Sequence, residues 1–236
     1  MIYLLATNNP NKAREIRPMF EAAGLELITL SDLGLIFEAK EEGKTFAMNA
    51  TQKAEETAAF LRSKAKASDV LPATHEKNVT FPVLPKGSKP DSLFSCDNIA
   101  VLADDSGLVI DALDGEPGVD SALYMGRDTP YDIKCKNIIE RLATIPDDKR
   151  AARFVCMLVC IKPDGSRLMT EGTIEGRIAH AMSGECGFGY DPIFYYPPYG
   201  KTLAELSQDE KNIVSHRGQA IQKMIGLIVN EGTGNK

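Results

Sequence analysis

The chain has 236 residues, 43% hydrophobic and 25% charged, an ordinary globular composition long enough to bury a sizeable core. Its 27 Lys and Arg stand against 33 Asp and Glu, and the resulting charge of −6 argues against nucleic acid or an anionic membrane as the main partner. No apolar run approaches ~18 residues, which excludes a transmembrane helix. The start, MIYLLATNNPNK, lacks the basic region and apolar length of a secretory leader, so a cytoplasmic location is expected. Five cysteines without a C-x-x-C pair agree with a reducing compartment. Cys156 and Cys160 would lie ~13 Å apart on one strand, too far for a disulfide, and read as buried thiols.

In chain order, Ile2–Ala6 reads as a strand. The polar turn Thr7-Asn8-Asn9-Pro10-Asn11-Lys12 follows, and then a helix with Ile16, Met19, Phe20 and Ala23 at helical spacing, stopped by Gly24. Leu25–Leu30 reads as a second strand. A second helix is expected from about Thr45, with Phe46, Ala50, Ala54, Ala58 and Leu61 on its apolar face and Asn49, Lys53 and Glu56 on another. From about 63 to 98 the Pro-rich, weakly periodic sequence predicts a long surface excursion, with an edge strand at Val79–Leu84. Ile99–Ala103 is a strand running into Asp104-Asp105-Ser106-Gly107, and Leu108–Ile110 resumes it. A helix over Asp132–Leu142 would bury Ile133, Ile138, Ile139 and Leu142. Phe154–Ile161 and Leu168–Ile178 form a hairpin around Pro163-Asp164-Gly165. Two capping boxes, Thr202-x-x-Glu205 and Ser207-x-x-Glu210, precede a terminal helix carrying Ala220, Ile221, Met224, Ile225 and Ile228. The whole is α/β with a mixed sheet, and 1–236 is read as a single domain.

Four polar segments sit where strands end, the place where open α/β sheets build sites. Thr7–Lys12 aims a helix N-terminus and a lysine at an anion, although the same residues suit a plain capped turn. Asp104-Asp105 pairs two carboxylates that repel unless a cation compensates, and Mg²⁺ is the natural one; the alternative is a solvated turn. Glu41-Glu42-Gly43 offers a further oxygen ligand or merely complements a helix dipole, and either glutamate could be the ligand. In Ser183–Asp191 the glycines admit a ligand close to the backbone, and Phe188 and Tyr190 present flat faces for a base. Ser215-His216-Arg217 adds an imidazole and a planar cation at a break between two helices. A thiol nucleophile at Cys186 lacks a Cys/His signature, and His75 and His180 read as structural or exposed.

Taken in order, Thr7-Asn8-Asn9-x-x-Lys12, Glu41-Glu42-Gly43-x-Thr45-Phe46, Asp104-Asp105-Ser106-Gly107-Leu108, Gly187-Phe188-Gly189-Tyr190-Asp191-Pro192-Ile193-Phe194 and Ser215-His216-Arg217-Gly218 resemble the inosine/xanthosine triphosphate pyrophosphatase family. The resemblance runs from Ile2 to about Ile228. It implies an elongated mixed sheet flanked by helices, two lobes with a central cleft, and a homodimer. It also implies a triphosphate-binding turn of Thr7, Asn8, Asn9, Pro10, Asn11 and Lys12, with Lys53 reaching the phosphates. Asp105 would be the catalytic carboxylate and an Mg²⁺ ligand, Glu41 a further metal contact and Ser106 a substrate contact. Phe188, Gly189, Tyr190, Asp191, Lys211, His216 and Arg217 would hold base and sugar. The sequence departs from the family in the long excursion and in Met182–Cys186.

The expected reaction is hydrolysis of non-standard purine nucleoside triphosphates between the α- and β-phosphates, giving a monophosphate and pyrophosphate. Rivals are a nucleotide sensor without turnover and a phosphatase releasing the γ-phosphate. The acidic pair discriminates against the sensor, because a binder of polyanions gains nothing from two more negative charges. No nucleic-acid or membrane partner is expected.

Overall fold

The apolar run at the start of the chain forms β1 (Ile2–Leu5), paired in parallel with β2 (Glu26–Thr29) on one side and with β3 (Ile99–Ile110) on the other. A strand with neighbours on both edges and cover on both faces takes a continuous apolar sequence, and Tyr3, Leu4 and Leu5 are buried. The structure is a computed structural model and describes residues 1–68 and 98–233. Within them the sheet order is β2-β1-β3-β4-β5-β6-β7, with β4 at Ala151–Ile161, β5 at Arg167–Ile178, β6 at Phe194–Tyr196 and β7 at Lys201–Thr202. The β5–β6 and β6–β7 pairs are antiparallel, so the sheet is mixed as expected. The helices are α1 (Pro10–Ala22), α2 (Phe46–Ser68), α3 (Tyr131–Arg141), α4 (Gln208–Val214) and α5 (His216–Thr233). No helix among the described residues is long and apolar enough to cross a membrane.

The chain divides into two compact units. The first comprises Met1–Gly43, Ala47–Asp104 and Leu158–Met169; the second comprises Lys44–Phe46, Asp105–Met157 and Thr170–Lys236. In the first, α1 begins at an Asn9 cap that accepts from the Asn11 N–H at 2.9 Å, with Pro10 at the first helical position, where its missing N–H is not needed. Ile16 and Phe20 of α1 and Ala50, Ala54, Ala58 and Leu61 of α2 are buried. The small residues of α2 leave no bulk between helix and neighbours, and they match the predicted face. In the second unit, Leu108, Ile110, Cys135, Ile138, Phe154, Ile174, Tyr190, Phe194 and Leu206 belong to one core cluster. Arg150 is fully buried and donates to the carbonyls of Leu142, Ile178 and Ala179 at 2.6–2.9 Å, so its polar atoms are satisfied without a carboxylate.

Several expectations need correction. The acidic pair does not end a strand: β3 continues unbroken from Ile99 to Ile110, and Asp104, Asp105 and Gly107 are buried within it. The strand tolerates them because Asp104 is ion-paired and Gly107 leaves room, since a Cβ there would lie 2.3 Å from the Gly118 carbonyl. In α3 the buried face is Lys134, Cys135 and Ile138, and Ile133 is 44% exposed. Lys134 reaches the Ala122 carbonyl at 2.8 Å, which a hydropathy pattern does not anticipate. The helix expected to give way near residue 63 extends to Ser68, since Ser63-Lys64-Ala65-Lys66-Ala67 holds strong helix formers. The Val79–Leu84 strand, His75, Cys96 and most of the 63–98 excursion lie outside the described residues. Cys135, Cys156 and Cys160 are buried thiols outside any disulfide, and Cys186 is an exposed thiol.

Candidate active site

The first unit gathers two lysines around one aspartate. The turn after β1 is braced from within, the Asn9 N–H donating to Thr7 Oγ1 at 3.1 Å and Asn8 Nδ2 to the Phe37 carbonyl at 3.0 Å. One turn into α1, Lys12 Nζ meets Asp104 Oδ2 at 2.8 Å, with the Asp104 side chain 1% exposed. From α2, Lys53 Nζ donates to the Asp104 carbonyl at 3.0 Å and is ion-paired with Glu41. Glu41 is placed by the segment before α2, where the Gly43 N–H donates to Asn49 Oδ1 at 2.7 Å and the Lys40 N–H to Glu56 Oε2 at 2.9 Å. A cation from each of two helices thus converges on one strand residue, and each cation already has a carboxylate partner.

The second unit gathers planar groups and donors. Asp105, 6% exposed, accepts from the Ser106 N–H at 3.0 Å through Oδ1. Arg217 Nη2 donates to Ser106 Oγ at 2.8 Å, and its guanidinium lies 5.4 Å from the centre of the Phe188 ring. Lys211 Nζ lies 4.9 Å from the same ring and bonds Asp191 Oδ2 at 2.6 Å, both side chains being under 5% exposed. Asp191 Oδ2 also accepts from the Phe188 N–H at 2.8 Å, closing a tight loop. Only glycine fits at 187, where φ is +75° and a Cβ would sit 2.2 Å from that same oxygen.

Tyr190 and His216 are both buried in the second unit. Tyr190 is buried, edge-on to Tyr131 with centroids 5.2 Å apart, and its hydroxyl donates to the Ser121 carbonyl at 2.8 Å. Burial, helped by Tyr131, Cys135 and Tyr124, pushes that phenol well above its ordinary range, so it remains a protonated donor. The flat face predicted at Tyr190 therefore lies in the core, and Phe188 is the aromatic with both cations near its ring. Burial likewise pushes the Cys135 thiol up to about 12, and it donates to the Gly189 carbonyl at 3.7 Å. His216, at the first position of α5, stacks on Phe154 with centroids 4.7 Å apart and planes 13° apart. Gly172 of β5 seats this end of α5, because a Cβ there would lie 1.9 Å from the His216 carbonyl.

Sequence reasoning read Asp104 only as one of the acidic pair, without its lysine partner, and passed over Ser121, Gly172 and Lys134. Asp104 carried a usable signal, being one of a pair of strand carboxylates downstream of two helix lysines. The others act through contacts distant in sequence. Ser121 Oγ accepts from the Leu108 N–H at 2.9 Å and donates to the Gly118 carbonyl at 2.6 Å. No local pattern announces such a role.

Among the described residues no group of three or more His, Cys, Asp or Glu side chains is placed to hold a metal ion. Glu41 in the first unit and Asp105 in the second each offer hard carboxylate oxygens, the donor type Mg²⁺ takes when it binds one or two carboxylates and completes its shell with phosphate and water.

Comparison with known proteins places the chain in a family. The chain is 40% identical over 223 residues to a dITP/XTP pyrophosphatase of Bacillus cereus, covering 94% of this chain and 91% of that one. It is 36% identical over 222 residues to a dITP/XTP pyrophosphatase of Clostridium perfringens, covering 94% of each. The solved structure of the Staphylococcus aureus Ham1 protein matches with a TM-score of 0.74 at 32% identity, over 98% of this chain and all of that one. The sequence model of the Ham1 family matches residues 3–227, and the chain belongs to the Ham1 family.

Proposed function

We propose that the chain hydrolyses non-standard purine nucleoside triphosphates (ITP, dITP and XTP) to the monophosphate and pyrophosphate. One observation carries this reading. Lys12 and Lys53 converge on Asp104, and the next two residues of the strand are Asp105 and the Ser106 to which Arg217 is bonded. One strand thus runs from the lysine-bound Asp104 of the first unit to the arginine-bonded Ser106 of the second, with the Asp105 carboxylate between them in sequence.

The chemistry follows from charge. Lys12, Lys53 and the start of α1 neutralise the triphosphate, while Phe188, backed by Arg217 and Lys211, offers a face to the base. The side chains of Thr7, Asn8, Asn9 and Asn11, with the turn at Pro10, shape the phosphate end. Asp105 orients a water in line with the α-phosphorus and takes its proton as the new P–O bond forms and the bridge to the β-phosphorus breaks. Pyrophosphate leaves carrying the electron pair of that bridge. Mg²⁺, held by Asp105 and Glu41 together with phosphate oxygens, would supply charge neutralisation and Lewis-acid polarisation. Asp191 positions the Phe188 N–H and Lys211, and His216 and Arg217 complete the base end. Donors there suit a 6-oxo purine, whereas the 6-amino group of ATP would leave them unpaired. A homodimer belongs to the same reading and rests on the family resemblance, while a cytoplasmic location without nucleic-acid or membrane partner rests on the charge and the cysteine pattern.

The test is the product. Incubated with ITP and Mg²⁺, the protein should release pyrophosphate and IMP in equal amounts. Release of inorganic phosphate with IDP would make it a γ-phosphatase, and tight binding without turnover would make it a sensor.

A further inference from the structure

We propose that Asp104 is an internal counter-ion for Lys12, a positioning residue that occupies the ammonium until a polyphosphate displaces it, so that the divalent metal enters with the nucleotide and not before it. The proposal rests on the phosphate-binding role of Lys12 and Lys53 given above.

Four charges stand together in the first unit. Lys12 is paired with Asp104 at 2.8 Å, and Lys53 is paired with Glu41 while also donating to the Asp104 carbonyl at 3.0 Å. Two ammonium groups and two carboxylates cancel, so the set is neutral before any ligand arrives. The two pairs differ in burial. The Asp104 side chain is 1% exposed and Lys12 15%, against 41% for Glu41. A carboxylate buried to that degree is strongly destabilised without a cation, so Lys12 leaves Asp104 only when another positive charge replaces it.

A free divalent cation finds poor terms here. To reach Glu41, one of the two carboxylates given to the metal above, it must displace the Lys53 ammonium, which stays tethered beside it, and like charges at that range repel. A polyphosphate meets the opposite situation. It offers Lys12 and Lys53 better anions, it releases both carboxylates, and the metal it carries supplies the positive charge that Asp104 then needs. Asp104 thereby holds Lys12 in place in the free protein and makes occupancy of the metal conditional on the substrate. The charge of Asp104 also opposes binding of a metal-free polyanion, and this separates the proposal from a merely structural role, whose loss would weaken binding.

Tripolyphosphate titrated calorimetrically in the presence of EDTA is the direct probe. Asp104→Asn, nearly isosteric and uncharged, should bind it about tenfold more tightly than the wild type, a ratio set by removing one partly buried ion-pair competitor. In parallel, Mn²⁺ followed by electron paramagnetic resonance should show no bound ion on the nucleotide-free wild type, whereas Lys12→Met, which exposes Asp104 to the metal, should acquire one. A stoichiometric Mn²⁺ on the nucleotide-free wild type overturns the proposal, as does Asp104→Asn binding tripolyphosphate no more tightly than the wild type. Either result leaves the nucleotide reading standing. Tripolyphosphate bound by neither protein overturns both. Should Asp104→Asn not fold, the Mn²⁺ measurement on the wild type decides alone.

Discussion

The two candidate half-sites are built on different principles. The set proposed for phosphate consists of long flexible cations, Lys12 and Lys53, held by ion pairs. The set proposed for the base consists of Phe188, Lys211 and Arg217, fixed by a buried ion pair, a short loop hydrogen bond and a glycine that admits no side chain. A triphosphate is the same on every nucleotide and needs only charge. A base must be told from its near relatives, and a rigid frame discriminates better than a pliant one because a wrong donor or acceptor cannot relax away. Substitution of Lys53, whose partner Glu41 is half-exposed, should therefore act on binding and chemistry while sparing stability, whereas substitutions in the second set should act on stability and selectivity together.

The largest expected effect is at the residue where the sets join. Asp105→Asn should lower kcat by ~10²–10⁴-fold through loss of the base and metal ligand. Circular dichroism and KM should stay near wild type, and near-parental turnover of ITP would remove Asp105 from the mechanism. Asp191→Asn should be the largest blow to stability. It leaves Lys211 buried without its charge partner and weakens the bond from the Phe188 N–H, and breaking such a pair costs about 3 kcal/mol. Chemical denaturation would measure that loss, and the discrimination of ITP from ATP should fall with it. An Asp191→Asn protein with wild-type stability would contradict the contrast drawn between the sets.

Tyr190→Phe sharpens the comparison further. It deletes the hydroxyl bonded to the Ser121 carbonyl and should cost about 1 kcal/mol, with kcat nearly unchanged if the ring is frame and not ligand. The smallest effect concerns acid. Glu205 is held below its ordinary range first by the Thr202 N–H, and Glu210 first by the Ser207 N–H. Because their folded pKa values are depressed, the stability they contribute is present above about 4.5 and is lost as pH falls through the lowered values. Glu210→Gln keeps the capping box but removes its titration, so acid unfolding monitored by circular dichroism should shift slightly less with pH in the variant.

These two sets were not equally legible in the sequence. The strand–turn–helix at Ile2–Ala22 announced itself through Asn9, Pro10 and the spacing of Ile16 and Phe20, because capping and periodicity are local. Both capping boxes, at Thr202 and Ser207, form as read, for the same reason. The placement of Asp104 and Asp105 inside a continuous strand was not legible, since carboxylates normally end strands and only the tertiary partner Lys12 reverses the preference. Lys134 and Ile133 exchanged roles for a similar reason. An ammonium that reaches a carbonyl twelve residues back can be buried, and no hydropathy scale contains that bond. Of the base set, the glycines and Phe188 were visible as a motif, but the division of labour between an aromatic held by two cations and a Tyr190 turned into the core needed the packing of Tyr131 and Ser121.

Attack at the α-phosphorus is tested most directly by a single turnover of ITP in water labelled with ¹⁸O, with the products separated by mass. Carriage of the triphosphate by Lys12 and Lys53 with Asp105 directing the water predicts one labelled oxygen in IMP and none in pyrophosphate. Label in pyrophosphate or in inorganic phosphate would place the attack on the β- or γ-phosphorus and contradict the role given to Asp105.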